Sequence, residues 1–348
     1  MNKSSTIKEV ALKSGVSIGT VDRVLHNRQG VSQKSREKVL KAIKDLDFKA
    51  NPHAAILASR KNYTIATILP VFKEGDYWSK VYSGFVSGAG KMMFSNIDTS
   101  VFVYDQYSPS SFRKAADELI ASNPSGVIIP TLFENDSKIL ASRLLALGIP
   151  YMIIDSFFED EGSLAYYGAP LYKSGQLAAY LMTLRSKPDS IVVFRIIRDS
   201  DRQADPTRNR RIGFLDYLST FAPDCRTYNV FLSPEDEAYN EEQIDSFFKD
   251  HPEVHHIVMF NSRVYLLEKY LSSHPDEKRQ VLGFANLDAN IQMLQEGLAT
   301  FLICWRPEMQ SELALNALAN YLVMRQQPPK KNNYMHMDVL TGMNSEDY

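Results

Sequence analysis

The sequence predicts an all-α head over residues 1–48, a linker over 49–62, and an α/β core over 63–348 made of two Rossmann-like lobes with parallel sheets. Three observations carry this. The first sixty residues hold three short, capped amphipathic helices. Those residues are basic while the remainder is acidic. From 63 onward, apolar β-type runs alternate with amphipathic stretches, and the alternation runs through twice.

In the head, Thr6 caps a helix in which Ile7, Val10 and Ala11 share one face. Gly15 marks a turn, and Ser17 caps a second helix that turns Val21, Val24 and Leu25 inward. Ser32 caps a third, with Val39, Leu40, Ile43 and Leu46 as its apolar stripe. Two helices joined by a short Gly-containing turn and closed by a third form the helix-turn-helix plan, in which the second helix enters the DNA major groove. Residues 1–62 contain nine Lys and four Arg against five acidic residues, a net of +8, while the whole chain is −2, which leaves −10 for the rest. A basic head on an acidic body is the footprint of phosphate binding confined to one module. The competing reading is a Lys-rich solvated helical cap.

The stretch TIKEVALKSGVSIGTVDRVLHNRQGVSQKSREKVLKAIKDLDFKANPHAAILAS, residues 6–59, resembles the DNA-binding head and linker of the lac-repressor (LacI/GalR) family. The resemblance implies that Ile18, Gly19 and Arg23 face the major groove and that Thr6, Ser17, Thr20 and Asn27 lie near phosphates. It also implies that residues 51–58 fold as a hinge over the minor groove, with Asn51 and Ala54 at the DNA and Leu57 as a wedge between base pairs. Two positions depart from the family pattern. Asp22 stands where Ser is usual, and it either pairs with Arg23 or a nearby Lys or accepts from a cytosine amino group. Ala55 stands where many relatives carry Arg, so one DNA contact is missing there.

A hydrophobic share of 44% with mixed charge describes a globular protein, and two cysteines, Cys225 and Cys304, suit a reducing compartment. No leader peptide and no apolar run of membrane-spanning length is read, so a cytoplasmic protein without membrane contact is expected. Enzyme signatures are missing. There is no Gly-x-Gly-x-x-Gly after a strand, no phosphate-binding Gly-Lys-Ser/Thr and no Gly-x-Ser-x-Gly elbow. His255 and His256 are adjacent in an expected strand and point to opposite faces, so no metal is expected, nor any cofactor.

In the core, strands are expected at 64–72, 99–104, 126–130 and 150–155, with helices at 78–94, 110–122 and 135–147 between them. A second series follows, with a helix at 174–184 and strands at 190–197, 227–232, 255–260 and 280–285. Helices at 210–220, 241–249 and 264–272 separate those strands. Near-continuous Val/Ile runs alternating with helices indicate parallel sheets covered on both faces, and ligands of such sheets sit at the strands' carboxyl ends.

This region resembles the type I periplasmic sugar-binding fold, through Asp76-Tyr77-Trp78, Ile149-Pro150 leading to Asp155, Arg208 with Arg210 to Phe214, Phe260-Asn261, Gly283-Phe284 and Arg306-Pro307. The resemblance implies three crossings between lobes, placed near 164, 286 and 326. One lobe is then about 63–164 with 287–326, and the other about 165–286 with 327–348. It implies a ligand cleft at Asp76, Tyr77, Trp78, Phe133, Asp155, Arg208, Asn261, Ala285 and Trp305. Within Arg208–Arg211 one Arg is expected at the ligand and one in the structure, unless the stretch is simply solvated. Phe133 and Ala285 replace usual carboxylates and Trp305 a usual Gln, which makes the cleft more apolar than a polyol site. Three readings stand: a sugar derivative or phosphate held by Arg208, a flatter aromatic or acidic metabolite, or a site filled by its own side chains.

The expectation for function is a transcriptional regulator, a repressor by the commoner family behaviour, that binds a pseudo-palindromic operator as a homodimer and answers to a sugar-like effector. The dimer surface is expected at Val81, Phe85, residues 92–94 and 97–104. Rival readings are a regulator with a non-sugar effector or none, and a solute-binding protein or sugar enzyme with a vestigial head.

Overall fold

The structure, a computed structural model, describes residues 6–25, 29–48, 62–92, 94, 96–159, 162–184, 187–197 and 207–346. The expectations for Asn27 and for the hinge with Asn51, Ala54, Ala55 and Leu57 lie outside the described residues.

The head is α1 (Ile7–Ser14), α2 (Ile18–Leu25) and α3 (Gln33–Asp45). A reciprocal capping box opens α1: the Glu9 amide donates to Thr6 Oγ1 at 3.3 Å and the Thr6 amide to Glu9 Oε2 at 2.7 Å. Gly15 ends it at φ 67°, the left-handed conformation that costs Gly least. Ser17 and Ser32 accept from the Thr20 and Ser35 amides. Val10, Ala11, Val21, Val24, Val39 and Ala42 form the core. Leu40, expected in that stripe, is exposed and Ala42 takes the inner position.

The core contains two six-stranded sheets of one topology. β1 (Tyr63–Pro70), β2 (Ile97–Tyr104), β3 (Gly126–Pro130), β4 (Tyr151–Ile154), β5 (Tyr166–Gly168) and β11 (Asn332–Tyr334) lie in the order β11-β5-β4-β3-β1-β2. β6 (Ser190–Ile196), β7 (Arg226–Leu232), β8 (His256–Met259), β9 (Gln280–Phe284), β10 (Phe301–Cys304) and β12 (Asp338–Leu340) repeat it as β12-β10-β9-β8-β6-β7. All pairings are parallel except β10 with β12. The first lobe carries α4 (Tyr77–Lys91), α5 (Pro109–Ala121), α6 (Glu134–Ala146) and α12 (Pro307–Met324). The second carries α7 (Leu171–Thr183), α8 (Arg208–Phe221), α9 (Glu237–Asp250), α10 (Glu268–Ser273) and α11 (Asp288–Gln295), with a 3-10 turn at Val264–Leu267 before α10.

Sheet membership corrects the expected lobe boundaries. β5 belongs to the first sheet, so the first crossing follows 168 rather than 164. β10 pairs with β9 and α12 packs on α4, so the second crossing falls at Trp305–Arg306 instead of near 286. β11 joins the first sheet and β12 the second, which puts the third crossing between 334 and 338 and not at 326. The missed signals are strands of three or four residues, too short to show a period.

Close helix pairing sets the lobe interiors. α7 lies so near α8 that a methyl group at Gly175 would run into the Arg210 carbonyl oxygen, and one at Gly213 into that of Tyr172. Glycines at both contact points let the two backbones meet, which fixes where α8 presents its first turn.

Candidate nucleic-acid interface and inter-lobe cleft

On the head, α2 buries Val21 and Val24 and leaves Ile18, Gly19 and Arg23 on the exposed face, with Asp22 and Thr20 half-buried. Ile18 is 46% exposed, an apolar side chain offered to solvent at the start of the helix. No described carboxylate pairs with Arg23. The hydroxyls expected near phosphates already serve the fold: Thr6 and Ser17 cap α1 and α2, and Thr20 Oγ1 lies 3.0 Å from Ser17 Oγ. Caps orient the helix starts, and a helix start with unsatisfied amides is where a phosphate binds. On α3, Lys34, Lys38, Lys41 and Lys44 are exposed, which accounts for half of the described positive charge of the head.

The cleft opens at the carboxyl ends of both sheets, and its hinge side is built from residues of both lobes. Tyr77, the first residue of α4, donates its hydroxyl to Asp155 Oδ1 at the end of β4. The same hydroxyl accepts from Trp305 Nε1 at 3.2 Å and from Gln310 Nε2 at 3.4 Å. Asp155 stands at φ 67°, in the left-handed region, and also accepts from Ser156 Oγ at 3.2 Å. From the second lobe, Arg210 lies with its guanidinium 4.1 Å from the Phe284 ring centre and 4.9 Å from that of Trp305. Its Nε donates to Ser174 Oγ at 3.0 Å and its Nη1 to the Phe260 carbonyl. Burial pushes the Asp155 carboxyl above the usual carboxylate range, against the opposing pull of the Tyr77 hydroxyl and the nearby Arg210 charge. The Tyr77 hydroxyl is pushed well up by burial and then by the Asp155 charge.

The expected cleft residues divide. Tyr77, Asp155 and Trp305 meet in this network, and Trp78 is buried against the Tyr77 ring edge. Asp76 turns back to accept from the Lys73 amide at 2.8 Å. Asn261 accepts from the Arg263 amide at 2.9 Å and stabilises its own turn. Ala285 is buried at φ 70° beside the crossing. Phe133 packs into the lobe interior with Tyr104 and Phe112, ring centres 6.0 and 5.9 Å away, so its replacement of a carboxylate adds to the core. Arg208 is exposed at the first turn of α8, and Arg210, two residues on, is the Arg committed to the hinge network.

Sequence reasoning missed Gln310, which lies on an unexpected helix, and Asn290. The Asn290 side chain donates to Ser262, Phe284 and Ala285 carbonyls and accepts from the Tyr265 amide, tying the loops after β8 and β9 together. The expected dimer residues Val81 and Phe85 are buried against α12 in their own lobe; Tyr82, Val86 and Val103 are the exposed apolar residues nearby. Among the described residues there is no cluster of three potential metal ligands, and no helix is long and apolar enough to cross a membrane.

Residues 6–51 match the model of "Bacterial regulatory proteins, lacI family", and residues 65–326 match that of the periplasmic binding protein domain. The ribose operon repressor of Lactococcus lactis subsp. lactis is 26% identical over 310 residues, 85% of each chain. A solved structure assigned to the LacI transcriptional regulators, from Bacteroides fragilis, is 32% identical with a TM-score of 0.77, covering 83% of this chain and all of that one. GanP, a glucose-galactose binding protein from Geobacillus stearothermophilus, covers 82% of this chain and 99% of its own at 19% identity and a TM-score of 0.70, a likeness of fold.

Proposed function

From the premise that the chain belongs to the lacI family of bacterial regulatory proteins, with a periplasmic-binding-protein domain as its core, we propose that it is an operon repressor governed by a sugar-like effector in the inter-lobe cleft. It acts in the cytoplasm as a homodimer on a pseudo-palindromic operator, since a two-fold protein calls for a two-fold site. The observation that carries this is one chain joining a DNA-reading helix, with Ile18, Gly19 and Arg23 outward, to a cleft whose hinge-side network joins both lobes. A ligand that prefers one lobe angle shifts the population of that angle, and the linked head follows. The dimer contact is assigned to Tyr82, Val86 and the β2 edge at Val103, which leave exposed apolar surface on one side of the first lobe. Selection of bound sequences from random duplexes tests the DNA arm. A recovered two-fold motif supports the reading, and binding without sequence preference overturns it.

A second reading, a regulator without a small-molecule effector, is favoured by one observation: at the cleft base Trp305 Nε1 and Gln310 Nε2 both donate to the Tyr77 hydroxyl, and the Arg210 guanidinium lies over the Trp305 ring. A thermal-shift screen of the full chain against sugars, sugar acids, sugar phosphates and aromatic metabolites separates the two, because a ligand of the folded state raises the melting temperature with occupancy.

A further inference from the structure

The chain crossings join the two lobes along one edge, and a hydrogen bond joins them along the other. The crossings leave β5, β10 and β11, which lie at or beside one edge of the sheets in the orders β11-β5-β4-β3-β1-β2 and β12-β10-β9-β8-β6-β7. β2 and β7 are the far edges. Arg263, in the loop after β8, reaches over to the β7 end, where its Nη1 donates at 3.1 Å to the carbonyl of Pro234, just past that strand. Its Nη2 donates at 2.7 Å to the hydroxyl of Tyr107, just past β2 in the first lobe. One guanidinium therefore spans the mouth of the cleft at the side farthest from the crossings.

Both ends of this bond are fixed within their own lobes. In the second, the Arg263 amide donates to Asn261 Oδ1 at 2.9 Å, and buried Asn290 donates to the Ser262 carbonyl at 3.0 Å. Buried Asn240 holds the Pro234 loop, accepting from the Ser233 amide at 2.6 Å and donating to the Ser233 carbonyl at 2.9 Å. In the first, the Tyr107 amide donates to Asp105 Oδ1 at 2.9 Å and the Asp105 amide to Ser111 Oγ at 3.0 Å, which ties the loop to the start of α5. Loops already ordered by their own turns lose little further freedom when the bond forms. Its strength is moderate. Arg263 and Tyr107 are half-buried, and among the described residues no carboxylate pairs with Arg263. A hydrogen bond of this kind, to a neutral oxygen and partly solvated, shifts an equilibrium by about three- to tenfold.

We propose that Arg263 and Tyr107 form the latch of the inter-lobe cleft: positioning residues that hold the lobes at one angle and must part before the cleft opens. Strands spaced about 4.8 Å apart put β2 roughly 24 Å from β11, so a rotation of about 10° at the crossings moves the latch by about 4 Å, past hydrogen-bond reach. A second cross-lobe bond, from Lys80 Nζ to the Asn286 carbonyl at 2.7 Å, lies at the end of β9, nearer the crossings, where the same rotation moves it less. The latch is either made or broken, which favours two lobe angles over a continuum. Its regulatory consequence rests on the reading that an effector in the cleft governs the head: the latch sets the balance between the two angles, and the effector shifts it.

The test measures lobe separation directly and needs no ligand. Spin labels are placed on the full chain at Lys114→Cys on α5 and Ala238→Cys on α9, both exposed and each beside one end of the latch. Cys225, the partly exposed cysteine, is replaced by Ser, and labelled chain is diluted with unlabelled chain so that distances within one chain are read by pulsed electron resonance. The expected result is a short distance that dominates with Arg263 and Tyr107 in place. Arg263→Gln and Tyr107→Phe each move the ratio of short to long distances about three- to tenfold toward long, and the double variant moves it no further than either alone. Arg263→Lys retains part of the short population. Distances unchanged in both single variants overturn the latch. Effects that add in the double variant overturn the pairing of these two side chains. A shift in the distances together with silence in the ligand screen leaves the latch standing and removes the effector reading; a ligand in the screen with distances unmoved by the variants does the reverse.

Discussion

Tyr77→Phe isolates one hydroxyl at the hinge of the cleft and has a pH signature. The hydroxyl donates to the Asp155 carboxylate and accepts from Trp305 Nε1 and Gln310 Nε2, so its removal leaves a half-buried carboxylate short of a donor and two donors short of an acceptor. A hydrogen bond to a charged group is worth about 1.5–3 kcal/mol and one to a neutral group about 0.5–1.5 kcal/mol. Asp155 has its carboxyl raised by burial, so the folded state holds its proton to higher pH than the unfolded state does. Its contribution to stability is fully present below the ordinary carboxylate range and is lost as pH rises through the raised value. The Tyr77 bond works against that rise, and Tyr77→Phe pushes the carboxyl higher still. The variant therefore loses about 1 kcal/mol below the ordinary carboxylate range, where Asp155 is protonated in both states, and about 2–3 kcal/mol above the raised value, where it is ionised in both. At about 2–4 °C per kcal/mol for a domain of this size, the melting temperature falls by several degrees above the raised value and by half as much or less below the ordinary range. Scanning calorimetry of both proteins from below the ordinary carboxylate range up to mildly alkaline pH is the assay. A deficit independent of pH, or one that grows toward acid, would refute the assignment of the hydroxyl to an ionised Asp155.

Other expectations concern separate elements. Arg23→Ala removes the outward guanidinium of α2 and abolishes operator selectivity while leaving salt-dependent non-specific binding; gel-shift competition with scrambled duplex reads both. Thr6→Ala breaks the capping box and costs the head about 1 kcal/mol, seen as earlier melting of the isolated 1–62 segment or, if that segment does not fold alone, as faster amide exchange in α1 of the full chain. Gly175→Ala forces α7 from the Arg210 backbone and costs about 1–3 kcal/mol, and it weakens effector response through Arg210; an unchanged urea midpoint would contradict the close approach. Removing residues 1–62 leaves a folded dimer, and a monomeric product by light scattering would move the dimer contact into the head.

Much of the head was legible because its signals are local. Thr6 with Glu9, Gly15, Ser17 and Ser32 each act within four residues, and the spacing of Val10, Val21, Val24 and Val39 reports one buried face. The long apolar strands from Tyr63–Pro70 to Gln280–Phe284 were equally plain, since a run buried on both faces must be continuously hydrophobic. Leu40 shows the limit of that reasoning: periodicity placed it inward, and the smaller Ala42 holds the contact.

The sequence by itself determined the class of each half, the boundaries of the capped helices and the sign of the charge each half carries. The tertiary structure decided which sheet β5, β10, β11 and β12 join, because three- or four-residue strands are assigned by partners far along the chain. It also decided which arginine enters the hinge. Arg208 and Arg210 stand about 200° apart on a helix of 3.6 residues per turn, and only the contact of α8 with α7 at Gly175 and Gly213 says which faces inward. Phe133 and Asn290 depend likewise on neighbours from other elements: one fills a core, the other joins two loops. Local pattern settles what an element is; its company settles what its side chains touch.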